Sequence, residues 1–309
     1  MTDGGFLSRV ANRTFYYGFS SILGKIVGFI MLPIYTNFLT PTDYGVVGFL
    51  IFFVSLAQIT LGGKLEQAIS KFHYDEETTD SLGSILTSAT VLTVGFSLLP
   101  LCLSMYFSES ISNVLFDSTQ YSLAVAIVSL NILFGTTEIY GLQYVRIIDM
   151  PKTFLTLNVL KLFFQLTINI VLIVYLDMGI LGVIISSASA SILMTVITSV
   201  IVVLKEAELG FNMELVPRLV SYSAPLWLSG LFGLYSGSIH QVFIKHFAGL
   251  SDLGLFNLAS TFGGLVGTLA WTPFFSFWAV ERFRLHKEGG AEPLFRQIFY
   301  WCAGISVFM

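Results

Sequence analysis

Long apolar segments dominate the amino-acid sequence and follow one another with few interruptions. A helix needs about 20 predominantly apolar residues to cross the hydrocarbon core of a bilayer. A membrane barrel would instead show short segments of alternating polarity. We therefore predict an all-α fold, a polytopic transmembrane helical bundle with about nine helices present. The predicted spans cover residues 14–39, 44–63, 82–107, 121–141, 153–176, 178–204, 219–247, 253–280 and 293–309.

The composition agrees with a lipid environment. Hydrophobic residues make up 55% of the 309 residues and charged residues 11%, whereas soluble domains carry roughly a quarter charged residues. The chain therefore lacks the charged residues for a water-facing surface of ordinary make-up. The sequence contains no Walker loop, nucleophile elbow or cluster with metal-ligand spacing, and so we expect no enzyme activity, cofactor, metal site or nucleic-acid partner.

The charges between the spans predict an orientation. Twelve of the 15 Lys and Arg residues lie before the first span or near every second loop, and the loops between these contain none. Loops rich in Lys and Arg stay on the cytoplasmic side, so we predict a multi-pass protein of the cell (inner) membrane with a cytoplasmic N-terminus. The twelve residues are Arg9, Arg13, Lys64, Lys71, Arg146, Lys152, Lys205, Arg218, Arg282, Arg284, Lys287 and Arg296.

An internal repeat relates the first two predicted spans to the seventh and eighth. An ungapped shift of 209 residues aligns both helices and the turn between them. In the turns Asp43-Tyr44-Gly45 and Asp252-Leu253-Gly254, the Asp can cap the next helix and the Gly permits a close approach. Equivalent spans of the two copies are six spans apart, an even number, so both copies enter the membrane from the same side. Transporters built from such parallel repeats commonly bind substrate at the repeat interface. Aligned identical pairs include Ser20 and Ser229, Gly24 and Gly233, Gly28 and Gly237, and Phe53 and Phe262.

Three lysines, Lys25, Lys161 and Lys245, lie inside predicted spans. A Lys at the bilayer centre costs about 2.5–3.5 kcal/mol on insertion scales, and such residues normally face a bundle interior or a water-filled cavity. Around Lys161, steps of three and four residues place polar side chains on one helical face. The alternative is a hydrogen-bonded seam between helices. This polar stripe consists of Asn158, Lys161, Gln165 and Asn169.

Several further polar residues lie within the spans. Glu138 is interpreted either as an acid of a substrate pathway or as a side chain that snorkels toward Arg146. His240 is either a hydrogen-bonded interior histidine or a proton relay, and Lys245 can also snorkel outward. A cationic cavity would suit a pyrophosphate or an acidic sugar, because Lys acts as a point charge for phosphate. The candidate pathway residues are Lys25, Lys161, Lys245, His240, Gln241, Asn158, Gln165, Asn169 and Glu138.

Two stretches carry a resemblance to a known family. LPIYTNFLTPTDYG, residues 32–45, resembles the opening of the polysaccharide biosynthesis (O-antigen type) exporter family, and VPRLVSYSAPL, residues 216–226, is similar to the start of that family's second half. Residues 146–182 also fit its fifth and sixth helices. The family belongs to the multidrug/oligosaccharidyl-lipid/polysaccharide exporter superfamily, whose members form two lobes around a V-shaped cavity.

The resemblance implies a flippase that moves undecaprenyl-diphosphate-linked oligosaccharide outward for surface polysaccharide biosynthesis. The lipid bilayer, a polysaccharide polymerase and chain-length proteins would be its partners. Residues 1–206 would form the first lobe, with spans one to six, and residues 207–309 an incomplete second lobe. Since the last residue lies 17 residues into the ninth span, we expect a fragment or a truncated reading frame. His240-Gln241 departs from the acidic–basic pair that many relatives carry in the seventh helix.

Two alternatives stay open. A cation-coupled multidrug antiporter of the same superfamily would share the fold, but drug sites for cations favour buried carboxylates, and the spans hold three lysines against one glutamate. The second alternative is a truncated, non-transporting membrane protein.

Overall fold

The structure is a computed structural model, and it describes residues 16, 19, 22–26, 28–33, 35–62, 64–75, 80–206, 208–266, 296 and 300. Except for residues 296 and 300, the ninth predicted span lies outside the described residues, as do the eighth span beyond residue 266 and the start of the first. The chain divides into two compact units, Met1–Ala259 and Ser260–Met309. All contacts discussed below lie within the first unit.

Within the described ranges every regular element is helical and no strand occurs. The predicted all-α fold is therefore confirmed. A short π-helix, Val171–Tyr175, extends the seventh helix. The helices are α1 (described residues of Ile22–Phe38), α2 (Pro41–Gly62), α3 (Glu66–His73), α4 (Leu82–Tyr106), α5 (Ser108–Phe116), α6 (Ser122–Ile147), α7 (Pro151–Ile170), α8 (Gly179–Lys205), α9 (Leu215–Ser238), α10 (His240–Phe247) and α11 (Leu250–Val266).

Five of these helices are long and apolar enough to cross a membrane. They belong to α2, α4, α6, α7 with its π-helix, and α8, and they run for 20 to 27 residues. At about 1.5 Å of rise per residue, the shortest is about as long as the hydrocarbon core is thick. The chain is therefore a multi-pass membrane protein, as predicted.

Local sequence signals explain where the long helices start. Thr40 precedes α2, and its backbone N–H and hydroxyl both donate to the Asp43 carboxylate at 2.8 Å, while the Asp43 N–H donates back to the Thr40 hydroxyl at 3.2 Å. This reciprocal capping box starts the helix three residues before the predicted boundary. Ser81 caps α4 by accepting from the Ser84 N–H at 3.2 Å, and Pro151 begins α7 where its missing N–H costs nothing.

Helix α6 runs through the middle of the bundle and contributes to two apolar cores. At one end, Tyr140 and Tyr144 pack with Ile69 of α3 and Ile85 of α4. At the other end, Val125 and Val128 pack with residues of α2, α8 and α11. The helix continues to Ile147, six residues beyond the predicted end at Gly141. A Cβ at Gly141 would overlap Thr198 of α8, so this glycine permits close helix packing instead of ending the helix.

The predicted seventh span, 219–247, is divided in the structure. Helix α9 ends at Ser238 and α10 begins at His240. Across the break the Val242 N–H donates to the Ile239 carbonyl at 3.0 Å, an i→i−3 bond of the tighter 3₁₀ type. The Ser236-Gly237-Ser238 run just before it has low helix propensity, which accounts for a break at this point.

Two short helices, α3 and α5, were not predicted. In α3 the buried residues Ala68, Ile69 and Phe72 lie on one face, at the spacing of an amphipathic helix. Only eight residues long, α3 lacks the continuous apolar run that identifies a spanning helix.

Candidate functional site

An ion pair inside the bundle is the centre of the candidate site. The Lys161 Nζ of α7 donates to both carboxylate oxygens of Glu138 on α6, at 2.6 and 2.8 Å. The Glu138 side chain is 7% exposed and that of Lys161 is 27% exposed. Either charge alone would be costly inside a bundle of membrane-spanning helices. The salt bridge neutralises both charges. The partner of Glu138 is therefore Lys161, a residue of the spanning helix α7.

A cavity of about 290 Å³ lies beside this ion pair, between α2, α6, α7 and α8. Ile51, Val54, Val128 and Ile139 form apolar parts of its wall. The polar part, besides the ion pair, consists of Ser55, Gln58, Asn131, Ser187 and Ser191. Polar side chains from four helices therefore line one cavity within an otherwise apolar bundle. A mostly apolar cavity with a few polar groups is the usual composition of a small-molecule site.

Some of these polar groups are satisfied by the protein itself. The Gln58 amide donates to the Asn131 backbone carbonyl at 2.7 Å, which joins α2 to α6. A Cβ at Gly135 would lie 2.8 Å from that amide nitrogen, so the glycine makes room for the contact. The Ser55 hydroxyl donates to the Ile51 carbonyl of its own helix at 2.8 Å.

Two other groups lining the cavity are left available. Asn131 is 8% exposed and Ser191 is 5% exposed. The Asn131 side-chain amide and the Ser191 hydroxyl have no protein partner within the described part of the chain. Buried polar groups are normally hydrogen-bonded, so two unpaired groups in one cavity wall indicate a site for water or a ligand.

The predicted polar stripe on α7 is divided among different partners. Lys161 joins the ion pair, whereas the Asn158 amide donates to the Phe154 carbonyl of its own helix at 2.8 Å. Asn169 is fully buried and donates to the hydroxyl of Tyr35 on α1, while its side-chain oxygen is buried without a partner among the described residues. Gln165 is half-buried. Of the stripe, only Lys161 lines the cavity.

Lys245 lies in another part of the protein. Its Nζ binds the Asp117 carboxylate at 2.8 Å and so ties α10 to the turn between α5 and α6. Asp117 has a left-handed backbone, with φ 55°, at the C-terminus of α5. Hydrogen bonding and charge from Lys245 hold the pKa of this exposed carboxyl below its ordinary value of 3.8. Lys245 does not line the cavity beside Glu138.

The remaining candidate residues are also outside that cavity. Lys25 is exposed on α1, and no partner for it occurs among the residues that the structure describes. The His240 ring lies 4.8 Å from that of Phe256. The neighbouring Gln241 has a buried side-chain oxygen without a partner in the described ranges. None of the described His, Cys, Asp or Glu side chains form a group of three or more that could hold a metal ion.

The two repeat turns come together in space. A Cβ at Gly45 would overlap the backbone carbonyl of Leu250, and a Cβ at Gly254 would overlap that of Pro41. Pro41 and Leu250 are themselves related by the 209-residue shift. These two glycines therefore allow the two copies of the repeat to approach each other closely. Asp252 lies in the first turn of α11, as Asp43 does in α2.

Ser187 and Ser191 were not predicted as site residues, although a signal existed. They are four residues apart, so they share one face of α8, but serines are frequent along this helix. The sequence alone does not distinguish a serine that lines a cavity from one such as Ser186, which donates to the Val183 carbonyl.

The fold and the cavity define a polytopic helical membrane protein with a polar internal site. The sequence model of a family described as polysaccharide biosynthesis protein matches residues 10–275 of the chain. The chain belongs to this family, whose members are typically membrane exporters, as its resemblance to the O-antigen type exporters predicted. No match is found among curated proteins or among solved structures.

Proposed function

We propose that the chain is a flippase that translocates undecaprenyl-diphosphate-linked oligosaccharide across the cell (inner) membrane for surface polysaccharide biosynthesis. Membership of the polysaccharide biosynthesis family is the observation that carries the proposal. The polar cavity with an intramembrane lysine supports it, because a saccharide headgroup needs polar contacts on its way through the hydrocarbon core.

The proposed route keeps the lipid tail in the bilayer and moves the headgroup through the protein. Lys25, which is exposed, would attract the diphosphate, and Lys245 would do the same where its salt bridge with Asp117 opens. Lys161, paired with Glu138, would line the part of the pathway through which the glycan passes. Asn158, Gln165, Asn169, His240 and Gln241 would supply further polar contacts along the pathway. Residues 1–206 would act as one lobe, and residues 207–309 would belong to the second. Rocking of the lobes, coupled to an ion gradient, would then give alternating access.

The proposed topology has a cytoplasmic N-terminus, since the twelve basic residues before the first span and near the loops lie at every second loop. In this arrangement substrate is collected on the cytoplasmic side, and a polysaccharide polymerase with its chain-length proteins would receive it on the other side.

Complementation of a flippase-deficient strain tests the proposal. The protein is expected to restore surface polysaccharide, and Lys25→Ala and Lys161→Ala are each expected to reduce export severalfold. Lys152→Ala is the matched control, because Lys152 is exposed at the start of the same helix as Lys161. Failure to restore export would overturn the flippase assignment. If neither substitution changes export, the assignment of the pathway residues would be overturned, but the proposed substrate would stand.

The buried carboxylate of Glu138 favours a second candidate, the cation-coupled multidrug antiporter. Such a protein would use an acidic group inside the bundle to bind cations, and Glu138 is acidic and buried. Efflux of ethidium from cells that express the chain, abolished by Glu138→Gln, would support this function. Cells without such efflux and with restored polysaccharide export would exclude it.

A further inference from the structure

We propose that the cavity between α2, α6, α7 and α8 binds one uncharged sugar unit of the transported glycan, and not its diphosphate. The inference rests on the proposed flippase function and assigns a ligand class to a particular cavity. Three features lead to it: the balance of charge, the unpaired polar groups, and the size of the space.

The charge balance disfavours an anion. Among the residues that the structure describes, the only charged groups that line the cavity are Glu138 and Lys161, and Lys161 donates to both oxygens of the carboxylate. A phosphate that bound Lys161 would have to displace this carboxylate and then lie beside it. Breaking a buried ion pair leaves an uncompensated charge, which costs several kcal/mol. A neutral ligand can enter without disturbing the pair.

The unpaired polar groups match hydroxyl chemistry. The Asn131 side-chain amide both donates and accepts, as does the Ser191 hydroxyl, and both residues are more than nine-tenths buried. Ser187 lies one helical turn from Ser191 on the same wall. Sugar hydroxyls also donate and accept, so they can satisfy every one of these groups. A purely cationic or purely anionic ligand would leave half of them unmatched.

The size of the cavity limits the ligand to a small unit. Its volume of about 290 Å³ lies just below the roughly 300–1,000 Å³ found for small-molecule sites. That space holds one sugar ring, and further units of an oligosaccharide would lie outside it. Ile51, Val54 and Val128 provide apolar contacts on the wall, where the C–H face of a ring can pack.

Ligand-observed NMR on the full chain in lipid nanodiscs tests the inference. Saturation transfer to methyl β-glucoside and to N-acetylglucosamine is the first readout, and the ³¹P linewidth of inorganic pyrophosphate is the second. We expect transfer to at least one sugar, and a reduction of at least fivefold in Ser191→Leu, which fills the cavity. Ser199→Leu is the control, because Ser199 is exposed on the same helix and does not line this cavity.

A second variant keeps the test valid if Ser191→Leu does not fold. Asn131→Ala removes the amide without adding volume, and it is expected to weaken saturation transfer in the same direction. Sugar signals that neither variant changes would overturn the inference, as would pyrophosphate broadening that depends on Ser191. The outcome is separate from that of the export assay. Sugar binding without export would refute the flippase function but support sugar binding in the cavity. Export without Ser191-dependent sugar binding would support the flippase function but refute sugar binding in the cavity.

Discussion

Gly45 of α2 and Gly254 of α11, equivalent residues of the internal repeat, face each other across a helix crossing too close for a side chain on either one. A Cβ at Gly45 would overlap Leu250, and a Cβ at Gly254 would overlap Pro41. Pro41 and Leu250 are themselves equivalent positions of the repeat. The contact is therefore reciprocal, which is the geometry of a local two-fold axis through the crossing.

Substitution of either glycine is expected to force the two helices apart. Because the added Cβ meets backbone and not a flexible side chain, Gly45→Ala should cost about 1–3 kcal/mol, as overpacked cores do. The measurement is thermal unfolding of the purified protein in detergent. Gly95→Ala on α4 is the matched control, since its Cβ would meet open space, and it should leave the stability unchanged or raise it. Equal melting temperatures for Gly45→Ala and Gly95→Ala would contradict the crossing.

A disulfide can trap the same crossing one turn further along. A Cβ at Gly48 would lie 3.7 Å from the Cβ of Asn257, within the 3.5–4.5 Å typical of disulfides. Gly48→Cys with Asn257→Cys, in a chain whose two native cysteines are replaced by serine, is expected to cross-link rapidly under mild oxidation. A gel shift after cleavage between the helices detects the bond. The pair Gly95→Cys with Asn257→Cys should stay reduced, and equal oxidation of both pairs would reject this geometry.

The helical class and the multi-pass character could be predicted from the sequence, since both follow from long apolar runs. The 209-residue repeat is also visible in the sequence, but the contact between its two turns was not predicted. The partners of the charged residues were not. Lys161 and Glu138 lie 23 residues apart on different helices, and no spacing rule links them. Lys245 was grouped with Lys161 because both lie in apolar runs, yet it binds Asp117 in a turn. Which side chains meet in a cavity depends on how each helix is rotated about its own axis. A helix that is apolar on all sides carries no sequence pattern from which that rotation can be read.

The ion pair of Glu138 and Lys161 is expected to behave as a unit. Removing one partner leaves an unpaired charge in an apolar region, so Lys161→Met or Glu138→Gln alone should destabilise the protein by up to about 3–5 kcal/mol. The double variant leaves no charge and should recover most of that loss. Thermal unfolding of the two single variants and the double variant measures this coupling. Additive losses would show that the two residues do not interact.

The contact between Lys245 and Asp117 predicts a specific pH dependence. The pKa of Asp117 is lowered from 3.8 by the hydrogen bond and charge of Lys245, so the folded protein favours the ionised carboxylate. The contact therefore stabilises fully above about pH 4 and is lost as the pH falls through the lowered pKa. Carboxyl ¹³C shifts of labelled Asp117 should show this low pKa, and Lys245→Met should return it toward the ordinary value. Lys205→Met, at the end of α8, is the charge-matched control and should leave the titration unchanged. An Asp117 titration that Lys245→Met does not move would mean that the two side chains do not meet.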